Sequence, residues 1–178
     1  IHLLSIGRLT KAKNFDNVPD ICARLIHAGW PVKWYIIGFG SDQSLIEDRI
    51  CEAQMENNVF LLGEKANPYP YIRHCDLYVQ PSRYEGKSIA VREAQILHKP
   101  VVITRFPTAD SQLKDGIDGL IVPLNNEDCA EGIAMLLGNP KKQLALIRHC
   151  QSEDFSTETE ALKIDQLFES SSVSPIIF

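Results

Sequence analysis

The sequence predicts a doubly wound α/β domain, in which a parallel sheet carries helices on both faces. Short runs rich in β-branched residues alternate with longer segments of helical periodicity along most of the chain, which is the rhythm of successive βαβ units. Two of these runs, YIIG at 35–38 and VVIT at 101–104, are apolar on both faces, which is typical of strands covered by helices on each side. The 178 residues, of which 44% are apolar and 23% charged, suit one globular domain.

About six strands and the helices between them account for most of the chain. The strands are predicted at 2–7, 32–38, 59–63, 76–82, 100–104 and 119–123. The helices are predicted at about 15–28, 43–55, 69–75, 88–97, 109–114 and 127–137. This order favours a Rossmann-like domain with its core at about 1–138 and further helices at about 140–170, where Leu162, Leu167 and Phe168 form an apolar stripe. Since a strand begins at the first residues, we expect the chain to be one domain of a longer protein.

Charge, hydropathy and cysteine content exclude several classes of protein. The net charge of -5 and the lack of an aromatic and basic stripe argue against nucleic-acid binding. No apolar run is long enough to span a bilayer and no signal peptide is visible, so a cytoplasmic protein is expected. Five cysteines without a CxxC pair do not favour disulfides or zinc, and Cys22, Cys75 and Cys129 are predicted to be core residues.

The loop after the first predicted strand is rich in cations. It reads GRLTKAKN at 7–14 and lies just before a helix. A helix start offers unpaired N–H groups and a partial positive charge, so Arg8 and Lys13 at this point suit a phosphate clamp. A solvated basic loop fits the spacing equally well.

The second loop, GFGSDQ at 38–43, contains a GxG turn. A dinucleotide fingerprint needs a third glycine where this chain has Gln43, and it belongs on the first strand, so a nicotinamide dehydrogenase is disfavoured. We interpret the turn as one that lets another backbone or a ligand approach closely.

The third loop, PSRYEGKS at 81–88, leads into a helix for which Ser88 is a suitable N-cap. Glu85 in the loop and Glu93 in the helix then face the same cleft. Carboxylates accept paired hydrogen bonds from vicinal diols, so the two residues suit a ribose and a second sugar on either side of a diphosphate. For Glu93 alone, a stabilising interaction with the helix dipole is an equal explanation.

Together these motifs resemble a known family. Glu85 and Glu93 form an E-x7-E pattern within PSRYEGKSIAVREAQILHKPVVIT, and GRLTKAKN, the GxG turn, VFLLG, CDLYVQPSRYEG and DGIDGLIVP occur in the family's order. The sequence over about 1–138 resembles the C-terminal, donor-binding half of GT-B glycosyltransferases of the family 4 type, the glycosyl transferases group 1. The segment EGKSIAVREAQ further resembles the corresponding segment of bacterial enzymes that build capsular and other surface polysaccharides.

The resemblance implies a retaining hexosyl transfer from a nucleotide diphosphate sugar, of the UDP or GDP type, to a saccharide or lipid-linked acceptor. It assigns the diphosphate to Arg8 and Lys13, the donor sugar to Glu85 and the ribose to Glu93, and it places the base near Gly63, Glu64 and Lys65. Glu85, Arg8 and Lys13 are the expected catalytic residues, and neither a metal nor a cofactor is expected. The predicted donor-binding residues are Gly7, Arg8, Lys13, Gly63, Lys65, Glu85, Lys87, Ser88, Ile89 and Glu93.

The sequence departs from the family in two respects. Lys87 and Ser88 stand where many members carry Gly and Phe in the EGFG loop, so Lys87 is either an added phosphate cation or a solvated lysine. The N-terminal acceptor domain is absent, so this chain alone is expected to bind a donor without turnover, and the full-length protein to associate peripherally with the inner face of the membrane. A non-catalytic nucleotide-binding domain and a sugar-nucleotide epimerase of the same fold are the alternatives.

Overall fold

The computed structural model describes residues 1–152, which form a six-stranded parallel sheet with helices on both faces, as predicted. The strands are β1 (His2–Ile6), β2 (Lys33–Ile37), β3 (Val59–Leu61), β4 (Leu77–Gln80), β5 (Val101–Thr104) and β6 (Leu120–Val122). The helices are α1 (Val18–His27), α2 (Gln43–Glu52), α3 (Tyr69–His74), α4 (Ile89–Ile96), α5 (Ala109–Gln112), α6 (Asn126–Leu137) and α7 (Pro140–Ser152).

Strand β1 lies at the topological switch point of the sheet, where the strand order reverses its direction. The strand order is β3-β2-β1-β4-β5-β6, so β2 and β3 extend the sheet on one side of β1 while β4 to β6 extend it on the other. In open parallel sheets, ligands bind beyond the carboxyl ends of the strands at such a switch point. The crevice to consider here is therefore the one between the loops that follow β1 and β4.

An apolar core fills each face of the sheet. Because side chains alternate along a strand, Leu3 and Val79 contribute to one core and Leu4 and Tyr78 to the other. The first core is closed by α1, α2 and α6, and the second by α3, α4 and α5. Each large apolar side chain buried in this way contributes roughly 1.5–3 kcal/mol, so both faces hold the strand ends rigidly in place.

Helices α1 and α2 differ from the prediction beside a residue in the left-handed conformation, and α5 ends at Gln112 rather than at residue 114, where Leu113 is extended. Asn14 has φ 61° and is followed by a 3₁₀ turn at Phe15–Asn17, so α1 begins at Val18 rather than at residue 15. Gln54 has φ 56°, and α2 ends at Glu52 rather than at residue 55. A left-handed residue interrupts a right-handed helix, and single residues of this kind are not visible as a periodicity.

Helix α7 extends the packed structure past residue 138 and buries Leu146 and Cys150. The second predicted C-terminal helix, with Leu162, Leu167 and Phe168, lies outside the described residues. Within 1–152, no helix is long and apolar enough to cross a membrane.

The cysteine prediction concerns the same two cores. Cys22, Cys75 and Cys129 are buried, which confirms that they are core residues.

Candidate functional site

The loops after β1 and β4 are joined directly to each other. The backbone N–H groups of Arg83 and Tyr84 both donate to the carbonyl of Ala12, at 2.8 and 3.2 Å. The Arg83 guanidinium also donates two hydrogen bonds to the Asp16 carboxylate, at 2.7 and 2.8 Å, and a third to the carbonyl of Lys11. The cation-rich loop and the loop that carries Glu85 therefore form one unit at the switch point.

Lys13 and Glu85 form an ion pair within this unit. Lys13 Nζ lies 2.5 Å from Glu85 Oε1, and the two side chains are 20% and 8% exposed. The Lys13 side chain passes over Gly7, where a Cβ atom would lie 3.0 Å from Lys13 Cε. Glycine at position 7 thus allows the lysine to reach the carboxylate across the end of β1.

Arg8 supplies a second cation at the same edge of the sheet. Its side chain is exposed, and no residue in 1–152 forms a hydrogen bond or ion pair with its guanidinium. The structure therefore brings two of the predicted phosphate ligands to one loop, with Lys13 paired to a carboxylate and Arg8 open to an anion.

The start of α4 is anchored at Ser88. Its hydroxyl accepts from the N–H of Val91 at 3.5 Å, which confirms Ser88 as the N-cap, and its own N–H donates to Gln112 Oε1 at 2.7 Å. The next two N–H groups, of Ile89 and Ala90, have no acceptor within the described chain. They remain available to an anion at the positive end of the helix.

The remaining residues of this loop are open to solvent. Gly86 and Lys87 are exposed, and the Ile89 side chain is 75% exposed. Thr108 holds the loop from the other side by donating to the carbonyl of Glu85 at 2.6 Å.

Glu93 lies in the second turn of α4 and is half-buried. The hydroxyl of Tyr69, on α3, donates to Glu93 Oε1 at 3.1 Å. Burial raises the pKa of the Glu93 carboxyl, and the hydrogen bond from Tyr69 opposes that rise. Burial holds the pKa of the Tyr78 hydroxyl well above its ordinary value, and the charges of Glu85 and Glu93 raise it further. Both carboxylates therefore lie near enough to act on this buried hydroxyl.

The loop after β3 carries the residues predicted to meet the base. Gly63 has φ 69°, and its carbonyl accepts from the N–H of Gly38 at 2.9 Å, so it lies beside the end of β2. Glu64 is exposed, whereas Lys65 is partly buried with its Nζ 6.0 Å from the centre of the Tyr71 ring. These residues border α3, the helix that also provides Tyr69.

The GxG turn serves the approach of another backbone. A Cβ on Gly38, which has φ 146°, would lie 1.9 Å from the carbonyl oxygen of Gly7, and a Cβ on Gly40 would lie 2.3 Å from that of Leu9. The interpretation of the turn as a close-approach element is confirmed, and the approaching segment is the loop after β1.

Several groups at the site were not predicted from the sequence. Ser82 donates to Glu85 Oε1 at 2.8 Å, and Gln80 in turn donates to Ser82 Oγ at 3.0 Å. The available signal was the alternation of polar Tyr78, Gln80 and Ser82 in an otherwise apolar strand. Within residues 1–152, no group of three or more His, Cys, Asp or Glu side chains is placed to hold a metal ion.

Residues 1–152 match the protein family described as "Glycosyl transferases group 1". The chain belongs to this family. The match extends over both cores, the switch-point loops and α7, so the resemblance on sequence motifs is confirmed.

Two relatives and two solved structures illustrate the similarity. The chain is 29% identical over 136 residues to a poly(ribitol-phosphate) alpha-N-acetylglucosaminyltransferase of Staphylococcus aureus, a match that covers 75% of this chain and 28% of the relative. It is 32% identical over 145 residues to an N-acetylgalactosamine-N,N'-diacetylbacillosaminyl-diphospho-undecaprenol 4-alpha-N-acetylgalactosaminyltransferase of Campylobacter jejuni, covering 80% of this chain and 39% of the relative.

Among structures, a TarM mutant of S. aureus in complex with fondaparinux, alpha-GlcNAc-glycerol and UDP superposes with a TM-score of 0.79 at 27% identity, over 96% of this chain and 35% of that one. HepE of Anabaena in complex with UDP has a TM-score of 0.78 at 22% identity, over 96% of this chain and 49% of that one, which supports the fold. The chain thus spans less than half the length of each of these proteins.

Proposed function

We propose that this chain is the donor-binding half of a retaining glycosyltransferase that transfers a hexosyl group from a nucleotide diphosphate sugar to a saccharide or lipid-linked acceptor. The observation that carries the proposal is the joined pair of loops at the switch point, where Lys13 meets Glu85 at 2.5 Å in a member of this family. A cation for phosphate and a carboxylate for sugar hydroxyls are thereby adjacent.

The diphosphate is the part of the donor that this site suits best. Arg8 and Lys13 supply two cations, and the N–H groups of Ile89 and Ala90 supply uncommitted donors at the start of α4. Donors already in place where negative charge develops on the leaving phosphate stabilise the transition state without reorganisation. Lys87, exposed on the loop that leads into α4, is proposed as a third cation of the clamp.

Binding of the donor has to separate Lys13 from Glu85 in part, because each of the two side chains gains a new partner. Lys13 forms an ion pair with Glu85. A diphosphate carries more negative charge than a carboxylate and attracts the Lys13 ammonium, while Glu85 gains hydroxyl donors from the sugar in exchange. The pair thus holds the cation and the carboxylate close together at the position where the donor binds.

The nucleoside is assigned to the α3 side of the crevice. Glu93 accepts the ribose hydroxyls, with Tyr69 holding one of its oxygens at 3.1 Å. The base lies near Gly63, Glu64 and Lys65, at the end of β3. UDP is the first nucleotide to test, because UDP is present in the complex of TarM, which is 27% identical to this chain.

We assign the acceptor to a part of the full-length protein outside this chain, which spans less than half the length of the two relatives. We propose that the isolated chain binds donors without turning them over, and that the full-length protein acts in the cytoplasm at the inner face of the membrane. The surface polysaccharides of bacteria are the proposed products. The two relatives act, by their names, on a poly(ribitol-phosphate) and on a diphospho-undecaprenol substrate.

Calorimetric titration of the chain with UDP tests the clamp. Arg8→Ala and Lys13→Ala should each weaken UDP binding by about 1.5–3 kcal/mol, the range of a hydrogen bond to a charged group, and leave uridine binding nearly unchanged. Lys11→Ala is the matched control, since Lys11 is an exposed cation of the same loop to which no phosphate is assigned. If Lys11→Ala and Arg8→Ala weaken UDP binding equally, the effect comes from the overall charge of the loop and not from a specific phosphate contact.

Two further titrations test the rest of the assignment. Glu93→Gln and 2′-deoxy-UDP should each reduce affinity, and their combination should cost little more than either alone, because both remove one shared contact. A chelator added to the titration should leave the affinity for UDP unchanged. A large loss in chelator would mean that a metal ion carries the phosphate contact.

A further inference from the structure

Three buried polar side chains, Tyr78, Gln80 and Ser82, form a hydrogen-bonded series along β4 that ends at Glu85. We call this series the file. Tyr78, Gln80 and Ser82 alternate along the strand and its extension, so their side chains emerge on one face. All three are 0% exposed. Tyr78 OH donates to Gln80 Oε1 at 2.8 Å, Gln80 Nε2 to Ser82 Oγ at 3.0 Å, and Ser82 Oγ to Glu85 Oε1 at 2.8 Å.

The direction of these hydrogen bonds follows from the carboxylate at their end. An ionised carboxylate only accepts, so the single hydroxyl proton of Ser82 is committed to Glu85. Ser82 Oγ can then only accept from Gln80, which turns the amide nitrogen of Gln80 toward Ser82 and its oxygen toward Tyr78. Burial keeps Tyr78 a neutral donor by raising its pKa well above the ordinary value. Every proton in the file therefore points toward Glu85.

The file matters because the other donor to Glu85 Oε1 is Lys13. That lysine is also the proposed phosphate ligand, so its ammonium is shared once a diphosphate is bound. The Ser82 hydroxyl has no such second partner, since its only proton is already directed at Oε1. Hydrogen bonds that polarise one another along a buried file strengthen the last bond in the series.

We propose that Ser82, oriented by Gln80 and Tyr78, is a positioning residue that holds Glu85 Oε1 and leaves Oε2 to accept a hydroxyl of the donor sugar. The proposal rests on the proposed function. In residues 1–152 the two side-chain donors to Glu85 both reach Oε1, and none reaches Oε2. The file thus orients the carboxylate for the sugar, while its own three side chains are fully buried.

The test compares UDP with a UDP-sugar in the same chain. Wild type is titrated with UDP, UDP-N-acetylglucosamine, UDP-N-acetylgalactosamine and UDP-glucose, and the preference is the ratio of the UDP dissociation constant to that of the tightest sugar nucleotide. Ser82→Ala should lower this preference by about tenfold, the low end for a lost hydrogen bond to a charged group, and change UDP affinity less than twofold. Ser82→Thr keeps the hydroxyl and should restore the preference.

Ser5→Ala is the matched control for the loss of a buried hydroxyl. Ser5, on the neighbouring strand β1, is also 0% exposed; it donates to the carbonyl of Val79 at 2.6 Å and accepts from Trp34 Nε1 at 2.9 Å. It should reduce stability without altering the preference. Equal weakening of UDP and UDP-sugar by Ser82→Ala, or the same loss of preference in Ser5→Ala, would overturn the positioning role.

A second readout needs no ligand. The side-chain amide signals of Gln80 in the NMR spectrum should shift in Glu85→Ala, since Ser82 loses its acceptor, and should not shift in Glu64→Ala, where the carboxylate is exposed. Unshifted signals in Glu85→Ala overturn the hydrogen-bonded file whichever nucleotides bind. If the wild type binds no nucleotide, both the proposed function and the contact between Glu85 and the sugar are overturned. If the wild type binds UDP and every UDP-sugar with equal affinity, only the sugar contact is overturned.

Discussion

The ion pair between Arg83 and Asp16 should be a main determinant of the stability of the site. Arg83 donates to both carboxylate oxygens of Asp16, at 2.7 and 2.8 Å, and each side chain is only 20% exposed. Exposed pairs contribute roughly 0.2–1 kcal/mol and breaking a fully buried one costs roughly 3–5 kcal/mol. The contribution of an ion pair with two hydrogen bonds at this intermediate burial should lie between these two ranges. Arg83→Ala should therefore reduce the free energy of unfolding by about 2 kcal/mol.

The effect should depend on pH in a defined direction. Burial alone would raise the pKa of Asp16, but the hydrogen bonds and charge of Arg83 outweigh it, so the pKa lies below its ordinary value of 3.8. A lowered folded-state pKa stabilises the fold above the unfolded-state value, and this stability is lost as the pH falls through the folded-state value. The difference between wild type and Arg83→Ala should therefore be full at pH 7 and shrink below 3.8.

Urea denaturation at several pH values measures both effects. A double-mutant cycle with Asp16→Ala should give a coupling energy of about 1–2 kcal/mol at pH 7. Arg24→Ala is the control, because Arg24 pairs with Asp20 at 3.2 Å with side chains 44% and 49% exposed, where the loss should not exceed about 0.5 kcal/mol. Additive single mutants, or a loss for Arg83→Ala that persists unchanged at low pH, would refute the reasoning.

Three further predictions concern single positions. Gly38→Ala should destabilise the fold by at least about 3 kcal/mol in urea, because its Cβ would overlap the Gly7 carbonyl, whereas Gly86→Ala, which meets nothing within 4 Å, should be nearly neutral. One thiol per native chain should react rapidly with a disulfide reagent, since all five cysteines lie within residues 1–152 and only Cys51 among them is exposed, while burial raises the pKa of thiols such as Cys22 to about 12; two or more rapid thiols would contradict this. UDP affinity measured by calorimetry should fall as the pH is lowered through the raised pKa of Glu93, which lies above its ordinary value of 4.5. Glu93→Gln should remove this part of the pH dependence and leave the part that comes from protonation of the UDP phosphate, whose second pKa is about 6.

Local signals in the sequence were sufficient to predict the strands, most helices and the cap at Ser88. Strand patterns, caps and loop composition act over a few residues, so each can be recognised without knowing its surroundings. The position of the crevice also followed, since strand ends in a parallel sheet share one edge.

The pairing of charges across that crevice could not be predicted in the same way. Arg83 and Asp16 are 67 residues apart, and Lys13 and Glu85 are 72 apart. Which cation meets which carboxylate depends on the docking of two loops, which is set by backbone hydrogen bonds to Ala12. For Lys13 the sequence suggested a phosphate and gave no sign of a carboxylate already in place.

The two outermost strands of the sheet have a consequence for behaviour at high concentration. β3 and β6 form the edges, and each is only three residues long. The edge of a sheet exposes N–H and C=O groups that can pair with a second molecule, and short edge strands are one way in which proteins limit such pairing. The sheet of this chain therefore offers little template for edge-to-edge aggregation, even though its central strands are among the most apolar segments of the sequence.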